Sequence, residues 1–180
     1  MQYPGTGPYT MDDLLEIVRI LRAPGGCPWD AEQTHASIRQ NLLEEAYEVA
    51  DAIDRQSTED LCEELGDLLL QVALHVQMEQ EAGGFSFNDV CDAICRKLIY
   101  RHPHVFGQVQ QLATGQVLDN WEKLKNAEKG RDTAASRLDS VPQSLPAAMY
   151  AEKVQKRAAA YGFCYADTAA ALADLASEVE

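Results

Sequence analysis

The sequence has few basic residues and no long apolar run. It contains 15 Lys and Arg against 29 Asp and Glu in 180 residues, and its formal net charge is −14. Such a chain repels nucleic acid unless its cations form a local patch, and the sequence shows no such patch. No stretch approaches the roughly 20 apolar residues that cross a bilayer. We therefore expect neither nucleic acid nor a membrane as a partner.

Paired cysteines and a leader segment are also missing. The five cysteines are odd in number and none form a C-x-x-C pair, which indicates reduced thiols rather than a disulfide framework. The first ten residues, MQYPGTGPYT, lack the basic and apolar regions of a secretory signal. These features predict a cytoplasmic protein.

Alternating β-type runs are absent, and the pattern is helical almost throughout. Runs rich in Ala, Leu, Glu and Gln are separated by short breaks of Gly, Pro and Ser. Thr10 marks the first helix start, and Asp30 with Gln33 resembles a capping box for the second. The predicted helices span 10–22, 34–55, 58–82, 87–101, 114–128 and 147–160. The sequence therefore predicts an all-α fold, a helical bundle.

A Gly-, Ser- and Pro-containing stretch divides the chain. We predict one domain over residues 1–130, a linker over 131–146, and the first helices of a second, incomplete unit over 147–180.

Acidic residues follow one flank of two neighbouring predicted helices. On helical wheels, Glu45 and Glu48 lie beside the apolar stripe of helix 34–55, on a flank that also contains Asn41 and Ala52. Glu64 and Asp67 lie in the same way on helix 58–82, on a flank that also contains Gln71 and His75. The two apolar stripes are Leu42, Ala46, Val49 and Ile53, and Leu61, Leu65, Leu69, Val72 and Val76. A short connection makes the helices antiparallel, so facing apolar stripes would bring the four carboxylates to one side of the pair.

Converging carboxylates repel one another, so their pKa values rise or a cation lies among them. All-oxygen ligands suit Mg²⁺, with Mn²⁺ as a possible substitute. A solvated, ion-paired face is the alternative, but Arg55 is the only basic residue between Asn41 and Gln71. A di-iron site is disfavoured because Glu32 to His35 is the single Glu-x-x-His match. The pattern favours a magnesium site.

Several motifs resemble those of the MazG family of nucleoside triphosphate pyrophosphohydrolases. The acids form E-E-x-x-E at 44–48 and E-x-x-D at 64–67. The segments GGCPWDAEQTH (25–35), ELGDLLLQV (64–72), KLIYRHPHVFG (97–107) and DNWEKLKNAEK (119–129) also resemble parts of bacterial MazG. The resemblance implies an all-α bundle, usually a homodimer. It also implies Mg²⁺-dependent hydrolysis of nucleoside triphosphates to monophosphate and pyrophosphate, a house-cleaning role in the nucleotide pool.

The resemblance also assigns roles to individual positions. Glu45, Glu48, Glu64 and Asp67 match the metal ligands, and Glu44 or Glu63 is a candidate general base. The candidate catalytic residues are Glu44, Glu45, Glu48, Glu64 and Asp67, and the candidate nucleotide-binding residues are Asn41, Lys97, Arg101, Trp121 and Lys125.

Two alternatives remain open. Longer bacterial MazG proteins carry two such domains, and this chain resembles the first of them. The first alternative is that this chain is a catalytically silent dimerisation or nucleotide-binding domain of such a tandem protein. The other alternative is a narrower diphosphatase acting on dUTP or dCTP.

Overall fold

The computed structural model describes residues 3, 5–107, 113–131 and 133–179. These described residues form helices and no β-strand, which confirms the all-α class. The helices are α1 (Met11–Arg22), α2 (Pro28–Glu32), α3 (Arg39–Asp54), α4 (Thr58–Glu81), α5 (Phe87–Arg101), α6 (Pro103–Phe106), α7 (Thr114–Glu128), α8 (Ala134–Asp139), α9 (Ala147–Ala159) and α10 (Thr168–Val179). Over the described ranges, none of these helices combines the length and the apolar character needed to cross a bilayer.

The chain divides into two compact units, Met1–Cys95 and Arg96–Glu180, and the division falls inside α5. The predicted linker, 131–146, is not an extended connection throughout. It contains α8, which packs against α9 and whose N-cap Thr133 accepts a hydrogen bond from the backbone of Ser136. Asp132 lies outside the described residues.

Most of the predicted helix boundaries agree with the structure, but the second predicted helix does not. Thr10 caps α1 as expected and forms a capping box with Asp13. The predicted capping box at Asp30 and Gln33 is wrong, because Pro28 starts the short helix α2 there and Asp30 lies inside it. A turn in which Thr34 and Ser37 exchange hydrogen bonds follows, and α3 begins only at Arg39.

The core of the first unit lies where α1 packs against the second half of α4. Its members are buried apolar side chains: Val18, Ile38, Ala73, Leu74 and Met78. Leu14, Leu15 and Leu70 pack against them. Because no residue of this cluster comes from the first half of α4, α1 fixes one end of the helix and leaves the other end for α3.

Arg22 ties three segments of the first unit together. Its side chain is 6% exposed, and its Nη2 lies 2.8 Å from Oε2 of Glu81 on α4. Its Nη1 donates to the backbone oxygens of Asp30 at 2.6 Å and Gln33 at 3.1 Å. Asp30 lies in α2 and Gln33 directly follows this helix, so one guanidinium joins α1, the end of α2 and α4.

A tight turn joins α3 and α4. Gln56 has φ 55°, in the left-handed region that residues with a side chain rarely occupy. Ser57 then caps α4 by accepting a hydrogen bond from the backbone of Asp60. Within three residues the chain reverses, so α3 and α4 pack side by side as antiparallel neighbours.

The sides on which α3 and α4 face each other differ from the prediction. Ala52 is fully buried and Gln71 is 6% exposed, although both lie on the predicted polar flanks. Ile53 and Leu65, from the predicted apolar stripes, are 56% and 48% exposed. The expectation that the apolar stripes face each other therefore fails at Ile53 and Leu65, although Val76 of the same predicted stripe is 3% exposed. The acidic flanks line the α3–α4 seam, where Glu45, Glu48 and Glu64 meet.

Replacing Arg22 tests how much this junction stabilises the fold. We expect Arg22→Ala to lower the free energy of unfolding by about 2–3 kcal/mol, because it removes the buried cation that pairs with Glu81 and leaves the backbone oxygen of Gln33 without its hydrogen bond. Urea denaturation of the two proteins measures the difference.

Arg19→Ala is the matched control. Arg19 belongs to the same helix and pairs with Glu16 at 2.6 Å, but its side chain is 52% exposed. A loss below about 0.5 kcal/mol is expected there. Equal losses in the two variants would contradict the role of Arg22.

Candidate metal and nucleotide site

Three carboxylates meet at the α3–α4 seam. Glu45 and Glu48 lie one turn apart on α3, and Glu64 comes from α4. One carboxylate oxygen of each lies within 4.8 Å of the others. We call these three residues the carboxylate cluster. Glu45 and Glu64 are partly buried and Glu48 is exposed, so the cluster opens to solvent on one side.

The electrostatics of the cluster follow from burial and like charge. Burial raises the pKa of Glu45, and the negative charges of Asp67 and Glu48 raise it further. The pKa of Glu64 is also raised, first by burial and then by the charge of Glu48. Asp67 is thus close enough to act on the cluster through its charge. Asp67 is not among the acids that meet within 4.8 Å, but its negative charge contributes to the raised pKa of both Glu45 and Glu64.

The one basic residue between Glu48 and Glu64 in the sequence is engaged elsewhere. Arg55 pairs with Asp51 at 2.8 Å and with Asp60 at 2.7 Å. Among the described residues, no Lys or Arg forms an ion pair with a member of the carboxylate cluster. The donors are all carboxylate oxygens and their charge is uncompensated. This chemistry fits a hard divalent cation such as Mg²⁺.

Other predicted residues of the first unit lie around this cluster. Glu44 is exposed, and its Oε1 accepts a hydrogen bond of 3.3 Å from Nε2 of Gln40. Asn41 is partly buried and lies one helical turn before Glu45. Their roles stay predictions.

The remaining predicted residues belong to the second unit, and three of them lie together there. Arg101 is 4% exposed, and its Nε donates to Oε2 of Glu128 at 2.8 Å. Its guanidinium lies 5.4 Å from the ring centroid of Trp121, and Nζ of Lys125 lies 4.6 Å from the same centroid. The ring thus holds two cations in place. Lys97 is partly buried and makes no ion pair within the described part of the chain.

Sequence reasoning missed further cations in this unit. Arg137, Lys153, Lys156 and Arg157 line a pocket that also contains Trp121 and Lys125. The spacing of 153, 156 and 157 places three cations on one face of a helix, and in so acidic a chain that spacing was the available signal.

Comparison with known proteins shows which family this chain resembles. A sequence profile of the MazG nucleotide pyrophosphohydrolase domain matches residues 33–106. The nucleoside triphosphate pyrophosphohydrolase of Escherichia coli K12 is 52% identical over 154 residues, which are 85% of this chain and 59% of that protein. The nucleoside triphosphate pyrophosphohydrolase/pyrophosphatase MazG of Thermotoga maritima is 41% identical over 156 residues, 87% of this chain and 59% of that protein. The chain thus spans about three fifths of the length of these relatives.

A solved structure also resembles the chain. The crystal structure of a mazG-related protein from Thermotoga maritima matches with a TM-score of 0.54 and 26% sequence identity. The match covers 64% of this chain and 99% of that one. The similarity therefore extends from the sequence to the helical architecture.

The raised pKa values predict how the cluster affects stability. Folded Glu45 and Glu64 hold protons more tightly than the ordinary value of 4.5 allows, so folding gains stability as the pH falls from neutral towards their pKa. Glu45→Gln removes one repelling charge. We expect it to raise the thermal midpoint by a few degrees at pH 7 without divalent metal, and by less as the pH approaches 4.5.

Calorimetric melting across pH measures this difference, and Glu44→Gln is the control because Glu44 is exposed and lies outside the cluster. Added Mg²⁺ is expected to raise the midpoint of the parent chain more than that of Glu45→Gln. An identical response of the two proteins to pH and to Mg²⁺ would contradict charge repulsion at the seam.

Proposed function

Because this chain belongs to the MazG family, we propose that it hydrolyses nucleoside triphosphates to a nucleoside monophosphate and pyrophosphate. The observation that carries the proposal is the convergence of Glu45, Glu48 and Glu64 without a compensating cation. The reaction breaks the anhydride bond between the α- and β-phosphorus atoms, and water attacks the α-phosphorus. Catalysis of this kind depends on positioning and on charge stabilisation, both of which such a cluster supplies.

Mg²⁺, or Mn²⁺ in its place, would be held by Glu45, Glu48, Glu64 and Asp67 and would neutralise charge on the phosphates. The fit rests on the all-oxygen donor set and on the raised pKa of Glu45 and Glu64. The repulsion that raises these pKa values is relieved when a cation binds. The repulsion in the metal-free protein therefore favours metal binding.

The other residues of the first unit act on the water and the substrate. Glu44 and Glu63 are each adjacent in sequence to a member of the cluster, and one of them accepts the proton of the attacking water. The negative charge of Glu63 contributes to the raised pKa of Glu64, which supports its proximity to the site. Asn41 would donate to the nucleotide from the turn before Glu45.

The predicted residues of the second unit supply positive charge and an aromatic surface. Lys97 and Lys125 would bind phosphate oxygens, and Arg101 would do so while remaining paired with Glu128. Trp121 would contact the base. Together with Asn41, these four residues would make the contacts with the nucleotide.

Two alternatives are separated by a substrate panel. A dedicated dUTP or dCTP diphosphatase would turn over one nucleotide far faster than the rest. A silent dimerisation or nucleotide-binding domain would bind triphosphate without turnover. A house-cleaning enzyme that acts on canonical and altered nucleotides would hydrolyse many members of the panel.

We also propose a homodimer. Exposed apolar side chains on α3 and α4 are Leu43 (38%), Tyr47 (56%), Ile53 (56%), Leu65 (48%) and Leu69 (38%). On α4, Leu65 and Leu69 are one helical turn apart and form part of one face. An exposed apolar face of this extent on two adjacent helices is typical of a protein interface. A second copy of the same chain would bury it symmetrically.

The five free thiols support a reducing, cytoplasmic location.

Product analysis tests the activity. The purified chain, incubated with ribo- and deoxynucleoside triphosphates, is expected to release monophosphate and pyrophosphate with Mg²⁺ and none with EDTA. Glu45→Gln and Asp67→Asn are each expected to lower kcat on the order of a hundredfold or more, because each removes charge that holds the metal.

Glu59→Gln is the matched control for the activity, since Glu59 is an exposed acid on α4 outside the cluster. Its kcat should stay within about twofold of the parent value. Full activity of both cluster variants would rule out the metal assignment, and binding without turnover by the parent chain would favour the silent domain.

Sedimentation equilibrium tests the homodimer. The parent chain of 19.9 kDa is expected to sediment with the mass of two chains. The double variant Leu65→Lys, Leu69→Lys should shift the species towards the monomer by at least about tenfold in dissociation constant, because two charges would be buried at the interface. Glu59→Lys changes the net charge by the same amount on the same helix and should remain dimeric. A monomeric parent at micromolar concentration would refute the proposal.

A further inference from the structure

The second unit contains a pocket that the sequence did not indicate. Its volume is about 420 Å³, and α7, α8, α9 and the turn after α9 line it. This size is within the range of small-molecule sites. The cations that line it are Lys125, Arg137, Lys153, Lys156 and Arg157.

The charge of this pocket contrasts with that of the chain. The protein has 15 Lys and Arg and a net charge of −14, yet a third of these cations line one cavity. Only two carboxylates, Asp119 and Glu122, share the lining. A concave surface with this excess of positive charge concentrates anions.

Two of the five cations are held in place by the protein itself. Arg157 donates from Nη1 to Oγ of Ser140 at 2.7 Å and also to the backbone oxygen of Arg137. Arg137 donates from Nε to the backbone oxygen of Arg131 at 3.0 Å. These contacts fix the guanidinium groups in the wall of the pocket without neutralising them, because the acceptors are uncharged.

Two other cations are available to a ligand. Lys153 and Lys156 are exposed and lie three residues apart on α9, so their side chains share a face. Neither forms an ion pair within the described residues. Lys125 differs from them, since its Nζ lies 3.4 Å from a carboxylate oxygen of Glu122.

The pocket also offers an aromatic surface. Tyr161 is 38% exposed, and the guanidinium of Arg137 lies 5.5 Å from its ring centroid. Trp121 is the second ring, but it already contacts Lys125 and Arg101. Tyr161 is therefore the ring with more surface left for a planar ligand.

We propose that this pocket binds a nucleoside polyphosphate, whose phosphates contact Lys153 and Lys156 and whose base packs against Tyr161. Free lysines, fixed arginines and an aromatic ring in one cavity match the anionic and planar parts of such a ligand. Tyr161 adds a second ring to the base contact that the proposed function gives to Trp121, and Lys153 and Lys156 add to the phosphate contact of Lys125. The proposal depends on the proposed function only for the ligand class. It assigns nucleotide contacts to α8 and α9.

Calorimetric titration with a non-hydrolysable α,β-methylene adenosine triphosphate analogue in EDTA tests the phosphate contacts. These conditions remove metal and turnover from the measurement. The double variant Lys153→Ala, Lys156→Ala should bind on the order of tenfold more weakly than the parent chain. The control Lys123→Ala, Lys129→Ala removes the same charge from two exposed lysines outside the pocket and should change affinity less than about twofold.

Equal losses in the two double variants would overturn the phosphate contacts, because they would show only a general effect of charge. A parent chain that binds no analogue would overturn the pocket whether or not it hydrolyses nucleotides with Mg²⁺. Conversely, analogue binding that depends on Lys153 and Lys156 in a chain without turnover would support the pocket and refute the hydrolytic proposal.

Tyr161→Leu tests the contact with the base. It should weaken binding of the analogue several-fold and leave the affinity for inorganic tripolyphosphate unchanged, since tripolyphosphate has no ring. Equal effects on both ligands, or no effect on either, would overturn the aromatic contact. Displacement of the analogue by a short single-stranded oligonucleotide at equal nucleotide concentration would overturn the small-molecule assignment.

Discussion

Like charge at the α3–α4 seam is the constraint on which the first unit depends. Glu45, Glu48 and Glu64 face one another there, and burial and repulsion raise the pKa of two of them. Repelling acids do not hold two helices together. The buried apolar core lies towards the other end of α4, where it packs against α1 and where Arg22 joins three segments. The unit therefore separates the part that stabilises from the part that would bind and react.

The sequence predicted the convergence of the acids for a reason that was partly wrong. Spacing and the short turn placed the carboxylates at one level, which the structure confirms for Glu45, Glu48 and Glu64. The premise that apolar stripes pack together failed at Ile53 and Leu65, which are exposed, while Ala52 and Gln71 on the acidic flanks are buried. Hydrophobic periodicity shows which side of a helix is apolar. It does not show whether that side packs against the neighbouring helix of the same chain or against another molecule.

Local capping chemistry was predictable where one residue decides it, as at Thr10. The break between α2 and α3 was not, because it depends on a proline start and on paired hydrogen bonds of Thr34 and Ser37, which also resemble a helix entrance. The pocket of the second unit was not predictable from the spacing of Lys153, Lys156 and Arg157 alone, because only the packing of α8 on α9 brings Arg137 into the same cavity. Contacts between distant segments have no signature in a single local pattern.

The turn at Gln56 restricts how this protein can vary. Its left-handed backbone sets the number of residues between the two acidic helices, and the level of each carboxylate is counted from that point. One residue added within the first turn of α4 would rotate every later position of that helix by about 100° and carry Glu64 away from Glu45. Substitutions at the turn leave this count unchanged, whereas insertions and deletions do not. Natural relatives that keep the chemistry should therefore differ in the identity of the turn residues while keeping their number.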